Sequence, residues 1–322
     1  MLSHSYPVLL LGEALVDEFA SGPVAGGAPL NVARSLQALG QPALLATRLG
    51  QGDAGAALVL QSMRRFGLSE AALQFDAERS TGRVSVIEKV GEQGGEHRFE
   101  IHDDAAWDHL QAEPLLDLLA APPRLVYFGS LAQRRPVARA SIQRLLDQLG
   151  RQGALRYLDL NLRAGSATPE LAAACLARAD WLKVNEHELA QLLQWQGLPG
   201  PARDAAPEAW SAGVRALMQH HGLQRLLLTR GALGAASFDI EGRVEALALA
   251  PRLARVVDTV GAGDGFSAML LAAWLGGQGV SRALALAVRF AAALCGERGA
   301  VPARDGFYDR WQQELSPERF TA

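Results

Sequence analysis

Apolar, β-rich runs alternate with helical patterns along the whole chain, and no other feature narrows the fold as much. The pattern predicts strands over 7–16, 42–48, 124–128, 155–160, 180–184 and 224–229. It predicts helices over 29–39, 54–66, 136–150, 169–178, 186–194, 208–220, 264–276 and 281–296. A parallel neighbour strand is reached only through a crossover, so this alternation calls for an α/β fold with a mainly parallel sheet covered on both faces. Ligands of such sheets gather at the carboxyl ends of the strands. One stretch breaks the rhythm: 81–90 (TGRVSVIEKV) alternates, 91–95 is a polar turn, and 96–102 (EHRFEIH) alternates again. That is a hairpin signature, read either as a plain surface connection or, with the segment leaving the first strand, as a small β lid over about 13–24 and 80–103. A single domain over 1–322 is expected.

The 322 residues are 49% hydrophobic and 20% charged, the make-up of an ordinary globular protein. A net charge of −3 with scattered arginines gives no footprint for nucleic acid or an anionic membrane. Cys175 and Cys295 lie in Ala/Leu-rich helical stretches and read as buried thiols in a reducing compartment. The N-terminus has no basic n-region, and the most apolar stretches are too short to span a bilayer. A cytoplasmic location is expected.

The chemistry concentrates in 258–270, DTVGAGDGFSAML. Gly261, Ala262 and Gly263 carry almost no side chain, so their N–H groups can crowd around an anion where a following helix leaves its first donors unpaired. Asp264 is then either an N-cap or a carboxylate beside that anion site, placed to take a proton from an attacking hydroxyl. The run is not a dinucleotide fingerprint, because Phe266 stands where the last glycine belongs. Nor is there a Walker A loop, since neither of the chain's two lysines, Lys89 and Lys183, follows a glycine at that spacing.

Other polar groups fall at strand ends. GEALVD (12–17) places Asp17 near the end of the first strand, where a carboxylate accepts from polyol hydroxyls. Gly26 and Gly27 precede a helix that carries Asn31 one turn in, letting a ligand approach the backbone. DLNLR (159–163) ends a strand. Arg163, Gln133 and Arg134 each read as substrate contacts or as surface ion-pair partners. In KVNEHE (183–188), Asn185 and Glu188 share one helix face, as an N-cap with an exposed glutamate or as water-mediated Mg²⁺ and phosphate contacts. LTRGALG (228–234) turns tightly between two strands. Val84 and Val86 give one lid strand an apolar face on which a second copy could pair.

GGAPLNVA (26–33) and DTVGAGDGF (258–266), with DLNLR, KVNEHE and LTRGALG between them, resemble the signatures of the PfkB-type, ribokinase-like carbohydrate kinases, and the similarity spans 7–302. Within that family the chain is most similar to bacterial fructokinase-like members, through GGAPLN, YFGSLAQR (127–134), DLNLR and FEIHDDAAWD (99–108). The resemblance implies a three-layer α/β/α sandwich with a β lid, and transfer of the γ-phosphate of ATP to a hydroxyl of a small sugar, fructose first. Asp264 would be the base, and Gly261, Ala262 and Gly263 the anion hole. Asp17, Gly26, Gly27, Asn31 and Arg163 would meet the sugar. Asn185, Thr229, Gly231, Gly234, Ala292 and Gly299 would line the nucleotide. Glu188 would organise Mg²⁺ through water, and Asp258 would help hold K⁺.

Some features depart from the family pattern. Leu15 replaces an asparagine found in ribokinase-like members, which weakens ribose as the substrate. Ala303 replaces a serine that some relatives place on the cation. A 2-keto-3-deoxygluconate or nucleoside kinase stays open, the latter with Trp107 as the wall for a nucleobase. A non-catalytic relative would be expected to lack the base or the glycines that are present here.

Overall fold

The structure, a computed structural model, describes residues 6–89, 96–119, 121–163, 165–202, 204–302 and 306–316. The N-terminal part runs β1 (Val8–Leu11), β2 (Leu15–Phe19), β3 (Gly22–Gly26), α1 (Ala28–Ala38), β4 (Ala43–Gly50), α2 (Ala54–Arg65), β5 (Leu73–Asp76), β6 (Gly82–Lys89) and β7 (Glu96–Ile101). The middle runs α3 (Glu113–Leu118), β8 (Leu125–Gly129), α4 (Pro136–Arg151), β9 (Leu155–Asp159), α5 (Pro169–Leu176), β10 (Trp181–Asn185) and α6 (Glu186–Trp195). The chain then adds α7 (Ser211–His221), β11 (Arg225–Thr229), β12 (Ala235–Phe238), β13 (Val244–Ala248), α8 (Ala262–Leu275), α9 (Val280–Leu294) and α10 (Asp309–Leu315).

Nine strands form one sheet in the order β13-β12-β11-β10-β9-β8-β1-β4-β5. Its pairings are parallel except at β12, which runs against both of its neighbours. Successive side chains of a strand face opposite sides, so strands covered on both faces must be apolar throughout. The burial follows that rule. Val8, Leu10, Leu45 and Tyr127 pack into one core with residues of α1, α8 and α9. Leu9, Leu11, Leu44 and Phe128 pack into the other with residues of α4, α5, α6 and α7. The result is the expected three-layer α/β/α sandwich.

The strand expected over 7–16 is two strands in two sheets. Gly12, at φ +154°, ends β1, and β2 leaves the large sheet for a small one of order β3-β2-β6-β7. Leu15 and Val16 resume the apolar run of Val8–Leu11, so periodicity alone runs through the break. The two crossings between the sheets lie side by side. A Cβ on Gly27, at φ +105°, would meet the Glu13 carbonyl oxygen at 2.7 Å. The small sheet is formed by the segments expected to make the lid, and its strands are called lid strands below.

Val84 and Val86 are only 4% and 8% exposed within the single chain, so the face expected to receive a second copy is already covered. Trp107 is 1% exposed, and a Cβ on Gly82 would come within 2.2 Å of its Nε1. It therefore offers no wall to a nucleobase. Arg134 stacks on Trp107 with 4.2 Å to the ring centroid, pairs with Asp108 at 2.7 Å and donates to the His102 carbonyl at 2.7 Å. Gln133 is buried and donates to the Gly129 carbonyl at 3.0 Å. Gln133 thus holds a strand end, while Arg134 ties together the residues at the base of the small sheet and also reaches the exposed Asp103 at 4.0 Å.

Candidate active site

β1 sits between β8 and β4, where the chain winds off in both directions. In sheets of this kind the crevice lies beyond the carboxyl end of such a strand. Here that end leads into Gly12 and Glu13, and the first turns of α1 and α8 converge on it. Asp17 enters from lid strand β2. A Cβ on Gly26 would fall 2.1 Å from Asp17 Oδ2, so the glycine is what admits this carboxylate.

Helix α8 begins two residues earlier than the apolar pattern places it. Its N-cap is Gly261, left-handed at φ +77°, with no side-chain cap. Asp264 is therefore not the cap. It lies in the first turn, and its Oδ2 accepts an N–H from Asn31 Nδ2 at 2.7 Å across 233 positions of sequence. Ala262 donates its N–H to the Thr259 carbonyl at 3.2 Å, which leaves Gly261, Gly263 and Asp264 as the amides that helix geometry exposes. A Cβ on Gly263 would come within 3.0 Å of Lys183 Nζ.

Three carboxylates share this crevice. Burial pushes Asp264 up to about 6; Asp159 adds to the rise, while the Asn31 hydrogen bond, Lys183 and Arg163 oppose it. Burial likewise raises Asp17 to about 6, with Arg163 and Arg34 opposing and Asp264 reinforcing. Glu13 goes to about 7, again chiefly through burial, and its Oε2 has no partner although the residue is only 4% exposed. Arg163 is exposed at the rim and acts on all three carboxylates. Asp17, Gly26, Gly27, Asn31, Arg163 and Asp264 are thus brought to one place.

The residues expected at the nucleotide lie at neighbouring strand ends. Asn185 and Thr229 are register partners on β10 and β11, and Thr229 Oγ1 donates to the Val184 carbonyl at 3.3 Å. Asn185 and Glu188 form a capping box, with Asn185 Oδ1 accepting the Glu188 N–H at 2.9 Å. Glu188 is buried, not exposed. Its Oε2 accepts the Asn185 N–H at 2.9 Å and its Oε1 the Leu162 N–H at 2.8 Å. Gly231 is exposed in the turn after β11, and Gly234 closes that turn against the Ala248 carbonyl. Ala292 is buried in α9. Asp258 accepts N–H groups from Val260 at 2.9 Å and from Gly299 at 3.0 Å, tying the loop before α8 to the loop after α9. Ala303 lies outside the described residues. Among the described residues, no group of three or more His, Cys, Asp or Glu side chains could hold a metal ion, and no helix is long and apolar enough to cross a membrane.

Sequence reasoning missed Glu13, Arg34 and Lys183. Lys183 opens the KVNEHE run, but its only reading there was as a lysine in the wrong place for a Walker loop. Its ammonium is 2.9 and 3.0 Å from the two oxygens of Asp159, and Asp159 also accepts from Ser267 Oγ of α8 at 2.9 Å. Asp159, read as a polar group at a strand edge, is therefore buried beneath the site.

Residues 13–305 match the pfkB family carbohydrate kinase. A fructokinase from Rhizobium leguminosarum bv. trifolii is 27% identical over 281 residues, covering 82% of this chain and 78% of the relative. Fructokinase-1 from Oryza sativa subsp. japonica is 27% identical over 291 residues, covering 84% of each chain. The crystal structure of aminoimidazole riboside kinase from Salmonella enterica, complexed with aminoimidazole riboside and an ATP analog, superposes with a TM-score of 0.74 at 25% identity. That match covers 96% of this chain and 99% of the other. The chain belongs to the pfkB family of carbohydrate kinases and is a sugar phosphotransferase.

Proposed function

We propose that this kinase phosphorylates a hydroxyl of a free sugar, fructose before the alternatives, with ATP as donor and Asp264 as base. The observation that carries the reading is the hydrogen bond from Asn31 to Asp264, which ties the glycine-rich start of α1 to the anion-binding start of α8. Asp17, Gly26, Gly27 and Arg163 stand around that bond as contacts for the sugar. Fructose is favoured by the fructokinase relatives and by the burial of Trp107, which removes the aromatic wall a nucleoside would need.

The residues fit a triphosphate and its Mg²⁺. The free N–H groups at the start of α8 face outward, Gly263 leaves a space that a Cβ would fill, and the Lys183 ammonium lies beneath it. Asn185, Thr229, Gly231, Gly234, Ala292 and Gly299 would line the nucleotide, with Glu188 acting on Mg²⁺ through water. K⁺ beside Asp258, a cytoplasmic location and a homodimer formed through the lid belong to the same reading. The homodimer would use the strand edges β3 and β7 instead of the covered face. Bound Mg²⁺ would neutralise phosphate charge.

The chain's own part is positional. Asp264 takes the proton of the sugar hydroxyl as its oxygen bonds to the γ-phosphorus. The bond from that phosphorus to the bridging oxygen breaks, and its electrons leave with ADP. The α8 amides hold the transferring group throughout.

A coupled ATP-consumption assay over fructose, glucose, ribose, 2-keto-3-deoxygluconate and adenosine tests the substrate. Fructose should give the highest kcat/KM, and a higher value for any other acceptor would overturn that choice. Asp264→Asn should lower kcat by about 10²–10⁴-fold. Turnover surviving within about threefold would remove Asp264 as the base.

A further inference from the structure

We infer that Arg34 is a positioning residue for the base: it fixes the carboxamide of Asn31 so that its nitrogen can face only Asp264, and ties that arrangement to the lid. Arg34 lies one turn beyond Asn31 on α1 and is 7% exposed. Its Nη2 donates to Asn31 Oδ1 and, at 3.2 Å, to the carbonyl of Ala25 in lid strand β3. Its Nη1 donates to Ser62 Oγ on α2 at 2.8 Å.

Donor and acceptor chemistry settles the orientation of the amide. A guanidinium has no acceptor, and an ionised carboxylate has no donor. An asparagine between them meets both only with oxygen toward Arg34 and nitrogen toward Asp264. Without Arg34 the amide can rotate, present its oxygen to the carboxylate and withdraw the hydrogen bond that favours the ionised base. A lysine cannot replace the fork, because a point ammonium lacks the planar geometry that reaches Asn31, Ala25 and Ser62 together.

This bond is one influence among several on Asp264. Asp159, Glu13 and Asp17 favour its protonated form, while Lys183, Arg163 and Arg34 itself favour the charge. Removing Arg34 therefore acts twice in the same direction, through lost charge and through the freed amide. A substitution at Asn31 separates the two contributions.

The inference rests on Asp264 as base, and its test keeps the two apart. The full chain is compared with Arg34→Met, Arg34→Lys, Asn31→Ala and Arg34→Met/Asn31→Ala through pH profiles of kcat/KM, with folding checked by circular dichroism and thermal melting. Arg34→Met should move the acid limb upward by about one pH unit, which lowers kcat/KM about 2-fold at pH 7 and about 10-fold at pH 5. Arg34→Lys should keep the charge yet still shift the limb. The double variant should fall below Asn31→Ala by less than Arg34→Met falls below the parent, because only the lost charge still counts once the amide is gone. A folded Arg34→Met with the parental acid limb, or losses at Arg34 and Asn31 that simply multiply, would overturn the inference. If Arg34→Met does not fold, Arg34→Lys decides alone, and a parental profile there sinks it. Should Asp264→Asn stay active, the base assignment fails first. Should it be inactive while the Arg34 variants keep the parental limb, only the present inference fails.

Discussion

Lys183 holds both carboxylate oxygens of Asp159, at 2.9 and 3.0 Å, directly beneath Gly263 in the first turn of α8. Asp159 is 1% exposed and also accepts from Ser267 Oγ and from the Tyr127 hydroxyl. One buried pair thus joins β8, β9 and β10 to the start of α8.

Breaking such a pair costs more than the pair is worth, because the remaining charge stays buried without a counterion. Lys183→Met should destabilise the fold by about 3–5 kcal/mol. Adding Asp159→Asn removes the stranded charge and should restore part of that loss. Urea unfolding of the two variants measures both numbers. A Lys183→Met protein as stable as the parent would mean that Asp159 finds another partner.

The lid crossing makes a separate demand. Gly27→Ala must adopt φ +105° and place its Cβ 2.7 Å from the Glu13 carbonyl oxygen. The backbone strain alone costs about 1–3 kcal/mol, and the clash must push the two crossings apart. Asp17 and Asn31 flank that seam, so the KM for sugar should rise more than the KM for ATP. Gly22→Ala is the control: it shares a positive φ of +121° but has nothing within 4 Å of its Cβ. Initial-rate kinetics on both variants checks the contrast, and equal effects would dissociate the seam from sugar binding.

How much of this was legible beforehand follows from what each signal can carry. The alternation of strands and helices reads out the sandwich, because burial on both faces leaves long apolar runs. It could not show that 7–16 changes sheet at Gly12, since Leu15 and Val16 take up the apolar run of Val8–Leu11 again after a short break. Asn31 and Asp264 were each visible in a motif of their own. Their contact depends on two helix starts meeting over the end of β1, which only the topology supplies. Arg34 follows one motif and Lys183 opens another, KVNEHE, yet neither motif gives them a role: their meaning lies in which oxygens they reach. Trp107 misled because an aromatic side chain beside a lid reads the same whether it faces the cleft or the core.

Glu188 holds two backbone donors, and one substitution tests whether it also serves the proposed Mg²⁺. Each of its oxygens accepts a backbone N–H, from Asn185 and from Leu162. Glu188→Gln leaves an amide nitrogen facing one of those donors inside the protein, a cost of about 1–3 kcal/mol. If the side chain also acts on Mg²⁺ through water, the Mg²⁺ concentration giving half-maximal rate should rise several-fold. Thermal melting and a Mg²⁺ titration of the rate are the measurements. Lost stability with an unchanged Mg²⁺ requirement would leave the residue as a cap alone.

Asp264 should make the fold less stable as pH rises, the reverse of a salt-bridged aspartate. Its pKa is raised from 3.8 unfolded to about 6 folded, so between those values the native state binds the proton more tightly. Above pH 6 the charged carboxylate is held in a place that disfavours it, and the full penalty is present. As pH falls from about 6 toward 4, the native side chain becomes neutral and the penalty fades. Asp264→Asn removes the charge while keeping the shape, and should therefore stabilise the protein by about 1–3 kcal/mol at pH 8. That gain should shrink to less than about 1 kcal/mol at pH 4. The same shift predicts that the parent enzyme gains kcat/KM with rising pH through about 6, as the base ionises. Urea midpoints of parent and variant across pH 4–8 test the first statement, and the acid limb of the pH–rate profile tests the second. A stabilisation that does not change with pH would show that Asp264 bears no strained charge. The catalytic limb would then have to come from Asp17 or Glu13, whose buried carboxyls titrate at about 6 and about 7 in the same crevice.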